Sequence, residues 1–524
     1  MANKVNLDAL IPRDDFETEE SKAVTTSVQK HTISINDLKK GEFFYSYLRK
    51  PDFQRETSEW DAKKISNLIL SFLNDDLIPA IILWKNGASL TFVIDGSHRL
   101  SALVAWINDD YGDGNISKAF FDARIPDEQQ EIANKTRKLV NKEIGPFSDY
   151  QLANTHPEKV KAEIVARAKR LGALSIQLQW VNGDARKAEE SFFTINQQAS
   201  PINQTELRIL RARKTPQGIA ARAIFRAGQG HKYWSAFPED VQLKVLEASK
   251  EIHELLFSPK LKTPIKTLDI PVGGKVTSAY ALALVLDFVY IANDIKIEKE
   301  AFIDEIIDNT SDSKKTLLLL KQCIEVAKRI NSMHPGSLGL HPAIYFYSRD
   351  GGHKVASFYA ICALILEFEK KNLWNSFIDV RSKFESFLLS NDELIQQIVR
   401  KHRGAFTSHE HVKDFLLLMI EELKTKEIIE AIDFVTKTPS FSYLKLNTRE
   451  QEYDAPRGEF TRAVKSRAFL TKALIGAIRC SICGGYLHTN STTFDHIERK
   501  REGGSASAEN AQLTHPYCNS TYKN

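Results

Sequence analysis

The stretch that decides the reading of this chain runs Cys480-Ser-Ile-Cys483, Thr493-Phe-Asp495-His496-Ile497, Gly503-Gly504, Glu509-Asn510 and His515-Pro-Tyr-Cys518-Asn519. Two chemistries are interleaved in it. Cys480 and Cys483 form a C-x2-C pair, and His515 and Cys518 form an H-x2-C pair. Thiolate and imidazole donors in two such pairs suit one structural Zn²⁺ in tetrahedral coordination. Asp495 and His496 lie between the pairs, a hard oxygen donor beside a titratable base. A hard ion such as Mg²⁺ or Mn²⁺ prefers oxygen ligands, and a neutral imidazole can activate water near neutral pH. The zinc would fix the fold while a second metal served the chemistry. His488 also falls in this stretch, where a surface or packing role fits better than a fifth donor, because four ligands close a structural zinc site.

In order and spacing these residues resemble the HNH endonucleases of the ββα-metal fold. The resemblance implies that His496 is the general base, Asp495 a ligand of the catalytic divalent ion, Asn510 the residue that orients the loop, and Asn519 the second metal ligand. It makes Cys480, Cys483, His515 and Cys518 the zinc ligands, with His515 where many relatives carry Cys. Lys523 follows where relatives often have a basic residue able to reach a phosphate.

Upstream, no Asp or Glu occurs between Glu459 and Asp495, while Arg462, Lys465, Arg467, Lys472 and Arg479 do. The spacing of apolar residues over 460–478 is helical, so several of these cations are expected to share a face and to contact DNA phosphates. The formal net charge of the whole chain is only +4, so any nucleic-acid affinity has to come from such local patches.

The chain has 524 residues, enough for roughly two to four domains. Its 42% hydrophobic and 26% charged residues are ordinary globular values and argue against a largely disordered chain. Three of the five cysteines are in the C-terminal stretch. Cys323 and Cys362, on apolar helical segments, read as inert buried thiols. This usage suits a reducing cytoplasm better than a disulfide scaffold. The first residues carry no apolar signal core, and the most apolar windows, 280–292 and 355–366, are too short to span a bilayer. A cytoplasmic protein without a membrane partner is expected.

Residues 1–30 are polar and read as a loosely held arm. Residues 32–35 open a sheet, and Ser58-x-x-Asp61 reads as the cap of a helix whose Ile65, Leu68, Ile69, Phe72 and Leu73 share one face. Two β-like runs, 78–84 and 89–94, flank Asn86-Gly87, which signals a hairpin. The second run ends in Asp95-Gly96-Ser97-His98-Arg99, and a helix follows. A glycine turn feeding a helix N-terminus offers backbone N–H groups and a positive dipole end to a phosphate, and arginine adds a bidentate fork. An ordinary polar loop with a surface arginine stays open beside that reading.

Pro51-Asp-Phe-Gln54-Arg55, Trp60, Asp95-Gly-Ser-His-Arg99, Phe192-Phe-Thr-Ile-Asn196 and Pro201-Ile-Asn-Gln-Thr-Glu206 together resemble the GmrSD-type, DGQQR-motif domain, which is related to the ParB/sulfiredoxin fold. Ser97-His98 stands where Gln-Gln or Gln-His is more usual. The resemblance covers residues 31–215 and implies a nucleoside triphosphate site lined by Gln54, Arg55, Asp95, Ser97, His98, Arg99 and Asn196. Asp95 would hold a metal, orient a water or cap the helix. Members bind and in cases hydrolyse nucleoside triphosphates, and act in modification-dependent restriction and phage defence.

Residues 216–440 read as mostly helical, with amphipathic spacing over 316–333, 355–371, 373–389 and 411–424. The Gly- and aromatic-rich stretch 336–353 reads as a loop whose His341, Tyr345, Tyr347 and Arg349 either meet nucleic acid or pack in a core. The expected architecture is therefore an α+β multidomain chain. It has an arm (1–30), a ParB/sulfiredoxin-like α/β nucleotide-binding domain (31–215), a helical linker or sensor (216–440) and a ββα-metal nuclease domain with a zinc knuckle (441–524). The expected function is a metal-dependent DNA endonuclease under nucleotide control, acting on modified or phage DNA. A DNA-binding nucleotide switch with a purely structural knuckle and a site-specific mobile-element nuclease remain alternatives. The sequence does not separate a monomer from a homo-oligomer.

Overall fold

The described residues include eight strands: β1 (Arg13–Asp14), β2 (Thr32–Ser34), β3 (Leu48–Pro51), β4 (Ile81–Lys85), β5 (Thr91–Asp95), β6 (Ser175–Trp180), β7 (Thr493–His496) and β8 (Ala511–Thr514). The computed structural model describes residues 4–16, 29–54, 57–87, 89–121, 125, 127–199, 204–276, 281–296, 312–446 and 458–522. They form two compact units, Met1–Lys214 with Gln229–Tyr233, and Thr215–Gly228 with Trp234–Asn524. Among the described residues no helix is long and apolar enough to cross a membrane.

In the first unit six strands make one mixed sheet in the order β1-β3-β5-β4-β6-β2. β4 and β5 form the expected antiparallel hairpin, while β1–β3, β3–β5 and β4–β6 pair in parallel. Alternation decides which core each side chain enters. Ile81, Leu83 and Val93 join the large core with Ile65, Ile69, Phe72 and Leu73 of the helix Ala62–Asn74. Trp84, Phe92 and Ile94 join an aromatic cluster on the opposite face with Phe16, Phe53 and Phe192. Burying each large apolar side chain contributes roughly 1.5–3 kcal/mol. Asp61, not Ser58, is the N-cap of the 62–74 helix, and its side chain accepts from the Lys64 amide at 2.9 Å.

Residues 4–16 correct the expectation of a loose arm. Val5, Leu7, Leu10, Ile11 and Phe16 are buried, and β1 pairs with β3. Asp8 is buried too, accepting from Lys50 Nζ at 2.6 Å, Arg13 Nη2 at 3.0 Å and the Thr57 amide at 3.1 Å. Such a carboxylate is tolerable only with several donors around it, and two of them, Lys50 and Thr57, come from far along the chain. Residues 17–28 of the expected arm lie outside the described residues.

Among its described residues the second unit is helical apart from the β7–β8 hairpin. The helix Ala281–Ala292 is apolar on nearly every side and accordingly buried, and its Asp287 accepts from the Tyr359 hydroxyl at 2.8 Å. Residues 336–353 form an irregular segment with a short helix, Pro342–Tyr345. His341, Tyr345 and Tyr347 are buried there, so these aromatics are core and not a stacking surface for nucleic acid. Arg349 is exposed and donates to the Leu389 carbonyl at 2.6 Å. Cys323 and Cys362 are buried free thiols, and burial pushes the Cys323 thiol up to about 12.

Candidate functional site

The C-terminal knuckle brings four donors together. One ligand atom each from Cys480, Cys483, His515 and Cys518 lies within 4.8 Å of the others, and none of the cysteines is in a disulfide. His515 Nδ1 is 3.4 Å from Cys483 Sγ and 4.0 Å from Cys518 Sγ. Tetrahedral zinc with ordinary Zn–S and Zn–N lengths puts its donors about 3.6–3.8 Å apart, so the donor set fits such an ion. His515 Nε2 lies 3.0 Å from the Tyr486 carbonyl, which fixes the tautomer that leaves Nδ1 as the donor atom. Burial, and then the charge of Arg381, push the His515 imidazole below its ordinary range, so it is neutral as a ligand must be. The neighbouring thiols of Cys483 and Cys518 hold Cys480 well below the thiol range, and Cys483 is in turn pushed up to about 11 beside Cys480. His488 is buried, with Nδ1 2.9 Å from Asn331 Nδ2, and is a packing residue.

The hairpin β7–β8 carries the Asp-His pair across the knuckle. Its register sets Asp495 opposite Gln512 and His496 opposite Ala511. Asp495 Oδ1 accepts from the His496 amide at 2.8 Å, and Oδ2 accepts from Gln512 Nε2 at 2.9 Å. Both Asp495 and His496 are half-buried. Gln512 is a contact that the sequence alone does not single out. Its signal is positional, since the residue opposite a functional strand position is the one that can orient it.

Asn510 ties the connecting loop. Its Oδ1 accepts from the Glu498 amide at 2.7 Å, and its Nδ2 donates to Ser505 O at 2.7 Å and Glu498 O at 3.1 Å. Gly504 is required at this crossing, because a Cβ there would lie 1.9 Å from Glu498 O and 2.9 Å from Asn510 Nδ2. Gly504→Ala is therefore expected to break the tie at a cost of about 1–3 kcal/mol. Hydrogen exchange should show the Glu498 amide losing protection while the Cys480 amide, bonded to Gly485 O, keeps it. Unchanged protection at Glu498 would contradict this account of the loop.

Asn519 follows Cys518 in the terminal turn Cys518–Tyr522. Its Nδ2 donates to Phe494 O at 3.2 Å and lies 3.4 Å from Thr493 Oγ1, so the side chain sits against the strand that ends in Asp495-His496. These contacts use the amide nitrogen, and the side-chain carbonyl oxygen is the atom that can serve a metal. Lys523 lies outside the described residues.

The basic approach to the knuckle is a helix, Arg462–Ile475, capped by Thr461. Arg462, Lys465 and Lys472 are exposed, fall on one side by helical spacing, and have no ion-pair partner among the described residues. Arg467 lies on another side and makes a two-toothed pair with Asp350, at 2.6 and 3.0 Å. Arg479 donates to Gly484 O at 2.9 Å and lies 3.8 Å from the centre of the Tyr486 ring. The five cations expected to act together thus divide into three on an open face and two with partners in the unit itself.

In the first unit, β5 ends at Asp95, Gly96 turns in the left-handed region at φ 96°, and the helix Ser97–Asn108 begins. A Cβ on Gly96 would meet Ile81 Cδ1 at 2.4 Å, so a side chain is excluded there on both grounds. Asp95 is not the helix cap. It pairs with Arg99 Nη2 at 2.6 Å, one turn on. His98 stacks on Trp60 with ring centres 5.6 Å apart, and its Nε2 accepts from the Glu59 amide at 3.4 Å. Ser97 is buried. Gln54 is buried just beyond the end of β3, the parallel neighbour of β5, and its backbone carbonyl accepts from Arg13. Gln54 and the Asp95–Arg99 turn therefore lie near the C-terminal ends of adjacent parallel strands, the position at which open α/β sheets hold ligands. Arg55 and the side chain of Asn196 lie outside the described residues.

No curated protein and no solved structure matches the chain. Two family matches account for its ends: residues 34–212 match the N-terminal domain of the GmrSD restriction endonucleases, and residues 480–524 match the HNH endonucleases. The chain is a fusion of a GmrSD-type N-terminal domain with a C-terminal HNH endonuclease domain.

Proposed function

We propose that this protein is a metal-dependent DNA endonuclease of the restriction or anti-phage kind, whose ParB/sulfiredoxin-like N-terminal domain (31–215) binds a nucleoside triphosphate and controls cleavage by the C-terminal nuclease domain (441–524). The observation that carries it is the hairpin with Asp495-His496 at the end of β7, the Asn510-tied loop, and the Asn519 side chain on the same strand, all built on a Cys₃His cluster. Cys480, Cys483, His515 and Cys518 would hold a structural zinc. Asp495 and Asn519 would hold Mg²⁺ or Mn²⁺, which supplies positive charge where charge develops on the phosphate and the leaving oxygen. His496 takes a proton from the attacking water as its oxygen bonds to phosphorus in line with the breaking P–O bond. Gln512 and the His496 amide hold the Asp495 carboxylate in place. Arg462, Lys465 and Lys472 present a positive face to the DNA backbone.

The test is incubation of the full-length protein with modified and unmodified phage DNA, in Mg²⁺ and in chelator, with and without each nucleoside triphosphate. Metal-dependent cutting that responds to a nucleotide supports the proposal. Zinc binding and DNA affinity without cutting would instead make the chain a DNA-binding switch. Cutting of one defined site without any nucleotide effect would make the N-terminal domain a reader of DNA only.

Arg99→Ala is the variant that isolates the N-terminal role. A charged hydrogen bond to phosphate is worth about 1.5–3 kcal/mol, so nucleotide affinity should fall roughly 10- to 100-fold. Cleavage should change with it while zinc content does not, because a nucleotide gates only through different affinity for the active and inactive arrangements. Titration of nucleotides against wild type and variant reads this directly. Equal affinity and equal cleavage in the two would remove the nucleotide from the proposal.

A further inference from the structure

The helix Trp374–Ser390 packs behind the knuckle and carries two fully buried charges. Arg381 and Glu385 both have 0% of their side chains exposed, and Arg381 Nε donates to Glu385 Oε1 at 2.8 Å. The guanidinium is used on every side. Nη1 donates to the Leu338 carbonyl and Nη2 to the Gly339 carbonyl at 3.0 Å, while Nη1 lies 3.3 Å from His515 Nδ1 at the cage. Glu385 is shared more widely, accepting from the Tyr345 hydroxyl at 2.9 Å and from the Tyr486 amide at 2.7 Å. Tyr486 is also the residue whose carbonyl meets His515 Nε2.

Two glycines let the knuckle close on this pair. A Cβ on Gly485 would lie 2.4 Å from Arg381 Nε, and a Cβ on Gly339 would lie 2.6 Å from His515 Cδ2. Three thiolates and one Zn²⁺ sum to a single negative charge, which is costly in a buried place unless a cation is held beside it. Arg381 is a buried cation in that position.

We infer that Arg381, contributed by the helical region and not by the nuclease motif, is a positioning residue for the cage: its charge offsets that of the Cys₃His zinc centre, and its hydrogen bonds to Glu385 and to the Leu338 and Gly339 carbonyls hold the guanidinium beside the cage. The inference rests on the zinc reading above. The competing account is that Arg381 and Glu385 form a self-contained ion pair that only fills space. The two accounts differ in sign at Glu385. If the pair is only packing, removing either charge disturbs the knuckle alike. If the cage needs the cation, neutralising Glu385 leaves the guanidinium's full charge to the cage.

The experiment uses the full-length protein in three variants, Arg381→Gln, Arg381→Lys and Glu385→Gln, each checked for native helix content by circular dichroism. Zinc content and zinc release to a competing chelator are measured. Outer-shell partners usually govern metal affinity by 10- to 100-fold, so Arg381→Gln should release zinc to about 10- to 100-fold less chelator. Arg381→Lys should stay closer to wild type than to Arg381→Gln, and Glu385→Gln should hold zinc no less tightly than wild type. Release from Arg381→Gln that equals wild type, or from Glu385→Gln that equals Arg381→Gln, overturns the inference. Should Arg381→Gln fail to fold, the other two variants carry the test, and zinc loss from Glu385→Gln greater than from Arg381→Lys overturns it. A wild-type protein without zinc would overturn the earlier zinc assignment itself, and this inference with it.

Discussion

His496→Ala is expected to lower the rate of DNA cleavage by about two to four orders of magnitude, the usual effect of losing a general base, while leaving zinc content and helix content at wild-type values. The separation follows from where the side chain sits. His496 ends β7 opposite Ala511, and it is none of the four clustered ligands. Its backbone, not its ring, makes the bond to Asp495 Oδ1 and the pairing with β8, so removing the ring leaves the hairpin's hydrogen bonds in place. The measurement is single-turnover cleavage under saturating protein, which keeps a binding defect from passing as a chemical one. DNA affinity should remain within a few-fold, because the proposed phosphate contacts are those of Arg462, Lys465 and Lys472 and not of His496. Asn519→Ala should act differently, with activity that recovers in part at raised Mg²⁺, since it weakens an ion site and leaves the base. Undiminished single-turnover cleavage by His496→Ala would remove His496 from the mechanism and return the knuckle to a structural role.

What the sequence could tell depended on how far each signal travels along the chain. The β4–β5 hairpin was legible because Asn86-Gly87 and its flanking strands are contiguous. The 62–74 helix was legible because Ile65, Ile69, Phe72 and Leu73 repeat at helical spacing, and the structure buries all four. The start of the chain was not. Asp8 and Arg13 look like solvated charges, and their burial depends on Lys50 and Thr57, about forty to fifty residues away. The acid-free stretch before the knuckle misleads in the same way, because Asp350, which Arg467 engages, lies outside it. Arg381 and Glu385 read in isolation as an ordinary i,i+4 surface pair. The available signal was their register: Trp374, Phe377, Ile378, Phe384 and Leu388 form an apolar stripe, and Arg381 and Glu385 stand on it. Charges on an apolar face need a buried partner, and nothing local shows that Arg381 lies beside a Cys₃His cluster that begins about a hundred residues further on.

Cys518→Ser should have the largest structural effect, because it removes a ligand from the cage and acts next to the proposed metal ligand Asn519. Apparent zinc-binding energies of small structural sites are about 10–16 kcal/mol near neutral pH and are coupled directly to folding. Apart from the cage, the described knuckle rests on a short hairpin and on contacts with the helical region such as those of Tyr486 with Glu385 and His488 with Asn331. Its sheet is a two-stranded hairpin of four-residue strands, and such a ribbon is marginal alone in water. Its other anchors are on the helical region: Tyr517 N donates to Ser337 O at 3.0 Å, Tyr517 Oη donates to Asn375 Oδ1 at 3.0 Å, and Ser491 Oγ donates to Ser332 O at 2.9 Å. With the cage open those contacts are left to individual hydrogen bonds, each worth about 0.5–1.5 kcal/mol net. The expected result is a chain without zinc whose residues 480–522 lose hydrogen-exchange protection and are cut by protease. Residues of the N-terminal unit, which have their own sheet and cores, should stay protected, and the nucleotide binding proposed for them should be unaffected. Metal analysis of wild type should give about one zinc per chain by the four-ligand rule. Acid should release it, since thiolate and imidazole bind metal only after losing their protons, and protons compete more strongly as the pH falls. A Cys518→Ser protein that holds no zinc yet keeps a protected, protease-resistant knuckle would show that hydrogen bonds and packing alone shape this end of the chain. Both the zinc assignment and the charge argument for Arg381 would then fall together.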